Sequence, residues 1–278
     1  MSFSILILTL NEENNIQRCL DAVSWCDDIV ILDSYSSDRT LEMAQKAGAR
    51  IYQRKFDCFA AQRNYAIDHI DFQYEWLFHL DADEIFTDQL RNEIESRIAT
   101  EKFDAYRIPS KMIFHDKWLR FSATYPTYQV RLGKLKALRF EQVGHGQREG
   151  NEPLCVETIV NPYLHYSFSK GIFDWFEKHN RYSSQEAEEA IHFIDSGKIK
   201  WSEIFSRDPV YRRRALKELS FLTPFRPVVK FIYMYILRCG FLDGIMGLHY
   251  CILHAIYDYM ISLKIKEIKR LRQNPQWV

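Results

Sequence analysis

The first hundred residues alternate between two periodicities, and that alternation limits the fold more than any other feature. Short apolar runs stand at 4–9 (SILILT), 29–32 (IVIL), 50–53 (RIYQ) and 75–80 (EWLFHL). Between them, apolar residues recur at helical spacing, as in Ile16, Cys19, Leu20 and Val23, or in Phe59, Ala66, Ile67 and Ile70. Strands joined by helices of this length require right-handed crossovers, so the pattern predicts an α/β fold with a mainly parallel sheet and helices on both faces. Asn11 is expected to cap the first helix with Glu12 and Glu13 in its first turn, Asp38 to cap the second, and Gly48 to close it. Leu90, Ile94 and Ile98 mark a further helix.

From about Ala105 to Tyr166 the pattern changes to short extended pieces interrupted by Pro109, Pro126, Gly133, Gly144 and other turn residues. Helical spacing returns over 173–194. At 278 residues, one α/β core plus an appendage accounts for the chain. Lys plus Arg and Asp plus Glu number 37 each, so no net field draws the whole molecule to nucleic acid. Six cysteines without a CxxC pair fit reduced thiols, and the N-terminus lacks a basic, cleavable leader; together they predict a cytoplasmic protein.

In an open parallel sheet, ligands bind outside the carboxyl ends of the strands. Three polar clusters fall there: Thr9-Leu10-Asn11-Glu12, Asp33-Ser34-Tyr35-Ser36-Ser37-Asp38, and Asp81-Ala82-Asp83-Glu84. If the last cluster is extended, Asp81 and Asp83 point the same way and place two carboxylates side by side. Such a pair calls for a hard cation, Mg²⁺ or Mn²⁺, which commonly binds one or two carboxylates plus substrate phosphates. A solvated acidic turn leading into the following helix is the competing reading.

In combination and in this order, Leu8-Thr9-Leu10-Asn11-Glu12-Glu13, Asp33-Ser34-Tyr35-Ser36-Ser37-Asp38-Arg39-Thr40, Ala61-Gln62-Arg63-Asn64 and Asp81-Ala82-Asp83-Glu84 make residues 3 to about 100 resemble glycosyltransferase family 2. Members of that family have the GT-A fold, and the chain is most similar to the lipopolysaccharide-core glucosyltransferase group. The resemblance implies an inverting transferase using a nucleotide-sugar donor, by default a uridine diphosphate sugar, with Thr9, Leu10, Asn11, Glu12, Asp33, Ser34, Ser36, Arg63, Asp81 and Ala82 at the donor. Within that set it puts Thr9, Asn11 and Glu12 at the nucleoside, Asp33 at the base, Arg63 near the diphosphate and Asp81 at the ribose or sugar. Asp83 would meet the metal, and His165 lies where such enzymes often have a histidine completing the metal site. The general base that takes the acceptor proton is expected within 142–149 (QVGHGQRE), as Glu149 or His145. This predicts a GT-A catalytic domain over 1–205, with a nucleotide-binding half at 1–100 and an acceptor-side half at 101–205, and a helical extension over 206–278.

Arg131 reads either as a phosphate partner or as a strand-surface charge. Trp118, Tyr125, Tyr128 and Trp175 are candidates to stack on sugar rings, against an ordinary packing role. The stretch from Leu219 to Leu263 is dense in apolar residues, but Arg226, Lys230, Arg238 and Asp258 interrupt it before about 18 consecutive apolar residues accumulate. With Arg212-Arg213-Arg214 before it and Lys264, Lys266, Lys269, Arg270 and Arg272 after, it is expected to lie on the cytoplasmic face of a membrane, near a lipid-linked saccharide acceptor. A buried hairpin or subunit interface is the alternative. Two rivals to a transferase are a haloacid-dehalogenase-like phosphatase, which would want an aspartate at the end of the first strand where Thr9-Leu10-Asn11 stands, and an inactive scaffold of the same fold. A dinucleotide oxidoreductase is excluded by the absence of GxGxxG after that strand.

Overall fold

The structure, a computed structural model, describes residues 2–100, 102–143, 146–150, 154–196, 201–223 and 225–273. The chain separates into two compact units, Met1–Trp118 with Tyr125–Gly171, and Leu119–Thr124 with Ile172–Val278.

The first unit begins with β1 (Ser4–Thr9), α1 (Ile16–Ala22), β2 (Ile29–Asp33), α2 (Thr40–Lys46), β3 (Arg50–Gln53), α3 (Phe59–His69) and β4 (Trp76–Asp81). The four strands lie in the order β3-β2-β1-β4, all parallel. Alternate strand residues feed two cores. Ile5, Ile7, Ile31, Phe78 and Leu80 pack with Ile16 and Leu20 of α1, whereas Leu6, Val30, Leu32 and Leu77 meet Ala66 and Ile70 beside α3. Burial on both faces explains why β1, β2 and β4 read as continuous apolar runs, while the edge strand β3 (RIYQ) stays half-buried.

Then follow β5 (Glu84–Ile85), α4 (Asp88–Ile98), β6 (Ala105–Phe114), β7 (Lys117–Trp118), β8 (Thr127–Lys134), β9 (Phe140–Val143), β10 (Gly146–Glu149), β11 (Val156–Thr158) and β12 (Tyr163–His165). The sheet continues past β4 as β8-β6-β12-β5, with β8 antiparallel to both β4 and β6. The region expected to be broken at Pro109 instead contains one ten-residue strand. Pro109 pairs with Tyr128 of β8, and on the other edge of β6 it falls between the stretches paired with β11 and β12. A residue without an N–H is tolerated at such a gap in the ladder.

In the second unit α5 (Gly171–Ser196), α6 (Trp201–Ile204), α7 (Pro209–Ser220) and α8 (Arg226–Ile232) are followed by a π-helical turn at Tyr233–Leu237, a 3₁₀ turn at Gly240–Asp243 and α9 (Gly244–Gln273). Ala187, Ala190 and Ile191 of α5 pack on Ile261 and Ile265 of α9. The units therefore divide at Gly171, not at the expected 205, because α5 buries its apolar face against the C-terminal helix. A side chain at Gly240 would put its Cβ 2.6 Å from the Met234 carbonyl oxygen, so this tight turn requires glycine. Among the described residues no single helix is long and apolar enough to cross a membrane; Arg226–Leu237 and Gly240–Gln273 are so only taken together, as a pair bent by 71°.

Candidate active site

The expected strand-end clusters meet along one edge of the sheet. In register, Thr9 pairs with Asp33 and Leu8 with Asp81, so the ends of β2, β1 and β4 stand side by side.

The first two clusters lock each other. The Asn11 N–H donates to Ser36 Oγ at 2.8 Å and the Ser37 N–H to Asn11 Oδ1 at 2.8 Å. The Glu12 N–H donates to Thr40 Oγ1 at 2.8 Å and the Glu13 N–H to Asp38 Oδ2 at 3.0 Å. Asn11 thus spans two loops rather than capping α1, which starts after Asn15 with no side-chain cap; its φ of 54° lies in the left-handed region that asparagine tolerates. The N-cap position of α2 is Arg39, which makes no side-chain cap, rather than Asp38; Asp38 stands one residue before it and accepts from the Thr40 N–H at 3.0 Å. Asp33 is fully buried. Its carboxylate accepts from Thr9 Oγ1 at 2.8 Å, from the Ser36 N–H at 2.8 Å and from Ser36 Oγ. The half-buried Ser34 donates its N–H to the Thr9 carbonyl at 2.9 Å, and Leu10 is exposed.

Glu12 is mostly buried, and burial raises its carboxyl pKa against the opposing hydrogen bonds of Asn15 and Lys170. Lys170 Nζ lies 2.6 Å from Glu12 Oε1 and 3.3 Å from the Leu10 carbonyl. No sequence signal pointed to Lys170, which is separated from Glu12 by 158 positions.

At the third cluster the chain turns at Ala82-Asp83 instead of running extended, so Asp81 and Asp83 acquire different partners. Asp81 Oδ1 accepts from Arg63 Nη2 at 2.6 Å and Oδ2 from Arg131 Nη2 at 2.9 Å. Arg131 Nη2 also reaches Glu84 Oε1 at 2.6 Å, and the Asp81 N–H donates to Glu84 Oε2 at 2.9 Å. Burial alone would raise the Asp81 carboxyl, but Arg131 and Arg63 outweigh it and hold it well below the usual carboxylate range. Glu84, with no exposed surface, moves the other way: burial raises its carboxyl more than Arg131 lowers it. Arg131, 3% exposed, is therefore not a strand-surface charge. Ala82 packs into the main core, which leaves only its backbone to face a ligand.

Asp83 Oδ2 stands 3.5 Å from His165 Nε2, the latter placed by β12 between β6 and β5. Burial would lower the His165 pKa, but Asp83, Glu84 and Asp81 raise it. Among the described residues no three His, Cys, Asp or Glu side chains converge as a metal site. Asp83 and His165 fit two protein ligands of a divalent ion that takes its remaining ligands from phosphate and water. Arg63 is buried with Nε and Nη1 lacking hydrogen-bond partners, which leaves donors suited to an anion.

Asn64, next to Arg63 on α3, fixes the start of the β9–β10 hairpin: its Nδ2 donates to the Phe140 carbonyl at 2.9 Å and its Oδ1 accepts the Phe140 N–H at 3.0 Å. Glu149 ends β10 opposite Phe140 and is half-buried. His145 lies outside the described residues.

The model of the family described as Glycosyl transferase family 2 matches residues 4–141, the stretch containing all three strand-end clusters, Arg63 and Arg131. The chain belongs to glycosyltransferase family 2. The chain is 30% identical over 104 residues to an uncharacterized glycosyltransferase of Rickettsia bellii, a stretch that is 37% of this chain and 35% of that protein. The chain thus spans about a third of the length of the first curated relatives it matches. Over almost its whole length, 99% of this chain and 96% of the relative, it is 25% identical to the lipopolysaccharide core biosynthesis glycosyltransferase LpsC of Rhizobium meliloti. It is also similar to TarS 1–349 of S. aureus, at 15% identity and a TM-score of 0.44 over 100% of this chain and 93% of that one. The mixed sheet with helices on its faces is GT-A-like, and a helical region follows it at the C-terminal end.

Proposed function

We propose that this protein transfers a sugar, with inversion, from a uridine diphosphate sugar to a saccharide or lipid-linked saccharide acceptor in lipopolysaccharide or surface-glycan biosynthesis. The observation that carries the reading is the paired-arginine clamp on Asp81 beside Asp83 and His165, at the carboxyl edge of a parallel sheet. Family membership and the full-length similarity to a lipopolysaccharide core glycosyltransferase support it.

In this reading the laced loops around Thr9, Asn11, Glu12, Asp33 and Ser36 form the nucleoside pocket. Arg63 keeps Asp81 ionised and turned to accept from a ribose or sugar hydroxyl, and directs its own unpartnered donors to the diphosphate. Asp83 and His165 would hold a divalent ion, Mn²⁺ or Mg²⁺, which would supply positive charge against the departing nucleoside diphosphate. The acceptor hydroxyl oxygen forms a bond to the anomeric carbon as the carbon–phosphate oxygen bond breaks. Its proton passes to Glu149 or His145, and the diphosphate leaves with the bonding electron pair. A haloacid-dehalogenase-like phosphatase is disfavoured because β1 ends in Thr9, where that chemistry needs a nucleophilic aspartate. The reading makes the protein a cytoplasmic one, peripheral on the inner face of the cell membrane.

The test is a thermal-shift panel of nucleotide sugars with and without Mn²⁺, on wild type and Asp83→Ala. Metal-dependent stabilisation of the wild type by a uridine diphosphate sugar, lost in Asp83→Ala, is the expected result. Absence of metal-dependent stabilisation by every nucleotide sugar overturns the donor site.

A further inference from the structure

The second unit contains a helix whose polarity is inverted. Along α8 and the π-helical turn that continues it, Phe225, Val228, Val229, Ile232, Tyr233 and Ile236 face outward and are exposed. Their spacing of 0, 3, 4, 7, 8 and 11 residues marks a single helical face. The side chains turned inward are Arg226 and Met234, both buried. A surface helix in water does the reverse. The inward arginine is accounted for, since its Nε lies 3.3 Å from Asp258 Oδ2 and its Nη2 lies 3.3 Å from Asp258 Oδ1.

The exposed apolar face continues beyond the bend, on a helix whose inward side packs Cys251, Ile261 and Ile265. Along α9, Ile245, Ile252, Ile256, Tyr259 and Leu263 recur on one exposed face. Charge is sorted in the same way. Between Phe225 and Tyr259 the only carboxylates are Asp243 and Asp258, 3% and 5% exposed. Asp243 accepts the Arg120, Phe121 and Ser122 N–H groups and the Ser122 hydroxyl, at 2.7 to 3.2 Å. The charge left at the surface of this segment is positive, from the half-buried Lys230 and Arg238. An exposed apolar face with cations and no exposed carboxylate complements the margin of an anionic bilayer. The two arms bend by 71° where they meet, so they do not continue each other as one straight span.

We propose that residues 225–263 form a monotopic membrane element, with the outward faces of α8 and α9 embedded among the acyl chains and headgroups of an anionic leaflet. It deepens the membrane part of the function proposed above and relocates the contact. The basic residues after α9's apolar stretch, which the sequence suggested as headgroup contacts, are partly occupied inside the unit. Lys264 Nζ donates to the Asn180 carbonyl at 2.6 Å and to Ser184 Oγ at 2.8 Å, and Arg272 pairs with Asp195 at 2.7 Å.

The test is flotation of the full chain with phosphatidylcholine vesicles, with and without phosphatidylglycerol, for wild type, Ile236→Glu/Leu237→Glu and, in the second arm, Leu242→Glu. These side chains are exposed, so circular dichroism is expected to show an unchanged fold. Wild type is expected to float with phosphatidylglycerol-containing vesicles, and the double variant to partition at least about tenfold less. Failure of wild type to float, or undiminished flotation of both variants, overturns the proposal. So does a sedimentation experiment in which the variants turn an oligomer into monomers while vesicle binding is unaffected, because the face is then a protein interface. The donor-site reading is scored separately: the nucleotide-sugar thermal shift is expected to persist in these variants, and Asp83→Ala is expected to float normally.

Discussion

Arg131 holds the buried carboxylate of Glu84 and the half-buried one of Asp81 with one nitrogen, and the environment distributes their charge unequally. Asp81 has a second guanidinium from Arg63 and is held ionised, whereas Glu84 has only Arg131 and its carboxyl is raised by burial. Removing one partner of a buried ion cluster strands the others. Arg131→Met is therefore expected to destabilise the protein by about 3–5 kcal/mol in urea denaturation. Adding Glu84→Gln removes one stranded charge and is expected to recover part of that loss, so a fully additive double variant would contradict the coupling described here. Asp81 and Arg63 could be named from the sequence because a familiar motif surrounded them. Arg131 was legible only as an arginine in a strand, since its partners lie 47 and 50 positions away.

Among the elements, α3 does more than cover the sheet. It carries Arg63 to the candidate site and Asn64 to the β9–β10 hairpin in consecutive residues, which on a helix point about 100° apart. The Asn64 amide pairs with both backbone groups of Phe140, a match no aliphatic side chain provides. Asn64→Ala leaves these groups without that partner and is expected to cost about 1–3 kcal/mol. Hydrogen exchange offers a more local readout: the Phe140 amide is expected to lose protection while the amides of β1 and β2 do not. Unchanged protection at Phe140 would mean that the hairpin is held by other contacts.

At the scale of the whole molecule, pH dependence reports on histidines held neutral by their surroundings, the half-buried His254 and the buried His79. His254, beside Tyr250 and Trp175, is pushed down to about 3 by burial, with Lys230 and His179 adding to it. His79, fully buried on β4, is lowered well below its ordinary value by burial and by Arg63 and Arg131. Unfolded histidine titrates near 6.5, so below that pH the unfolded chain binds protons that the folded one refuses. The stability these neutral rings contribute is present above about pH 6.5 and falls as pH is lowered, with a slope of up to about 1.4 kcal/mol per pH unit for each proton. Urea midpoints measured between about pH 6.5 and 5, above most carboxylate titrations, are expected to decline, and to decline less in His254→Asn. Equal slopes in the two proteins would show that His254 is protonated in the folded state.

The sequence by itself determined what depends on short-range order: the four parallel strands, three of which, buried on both faces, demand apolar runs, and the sheet edge to which polar strand ends must go. It also carried the family, because the motifs occur in a fixed order along the chain. Tertiary structure decided the pairings between distant positions. It turned Asn11 from a helix cap into a bridge between loops, separated Asp81 from Asp83 by a turn, drew Lys170 to Glu12 and buried Arg131. In the helical unit, apolar density alone did not distinguish a core from a surface. Only the packed helices reveal that Arg226 points inward and Ile236 outward, since the direction of a helical face is set by what the helix packs against.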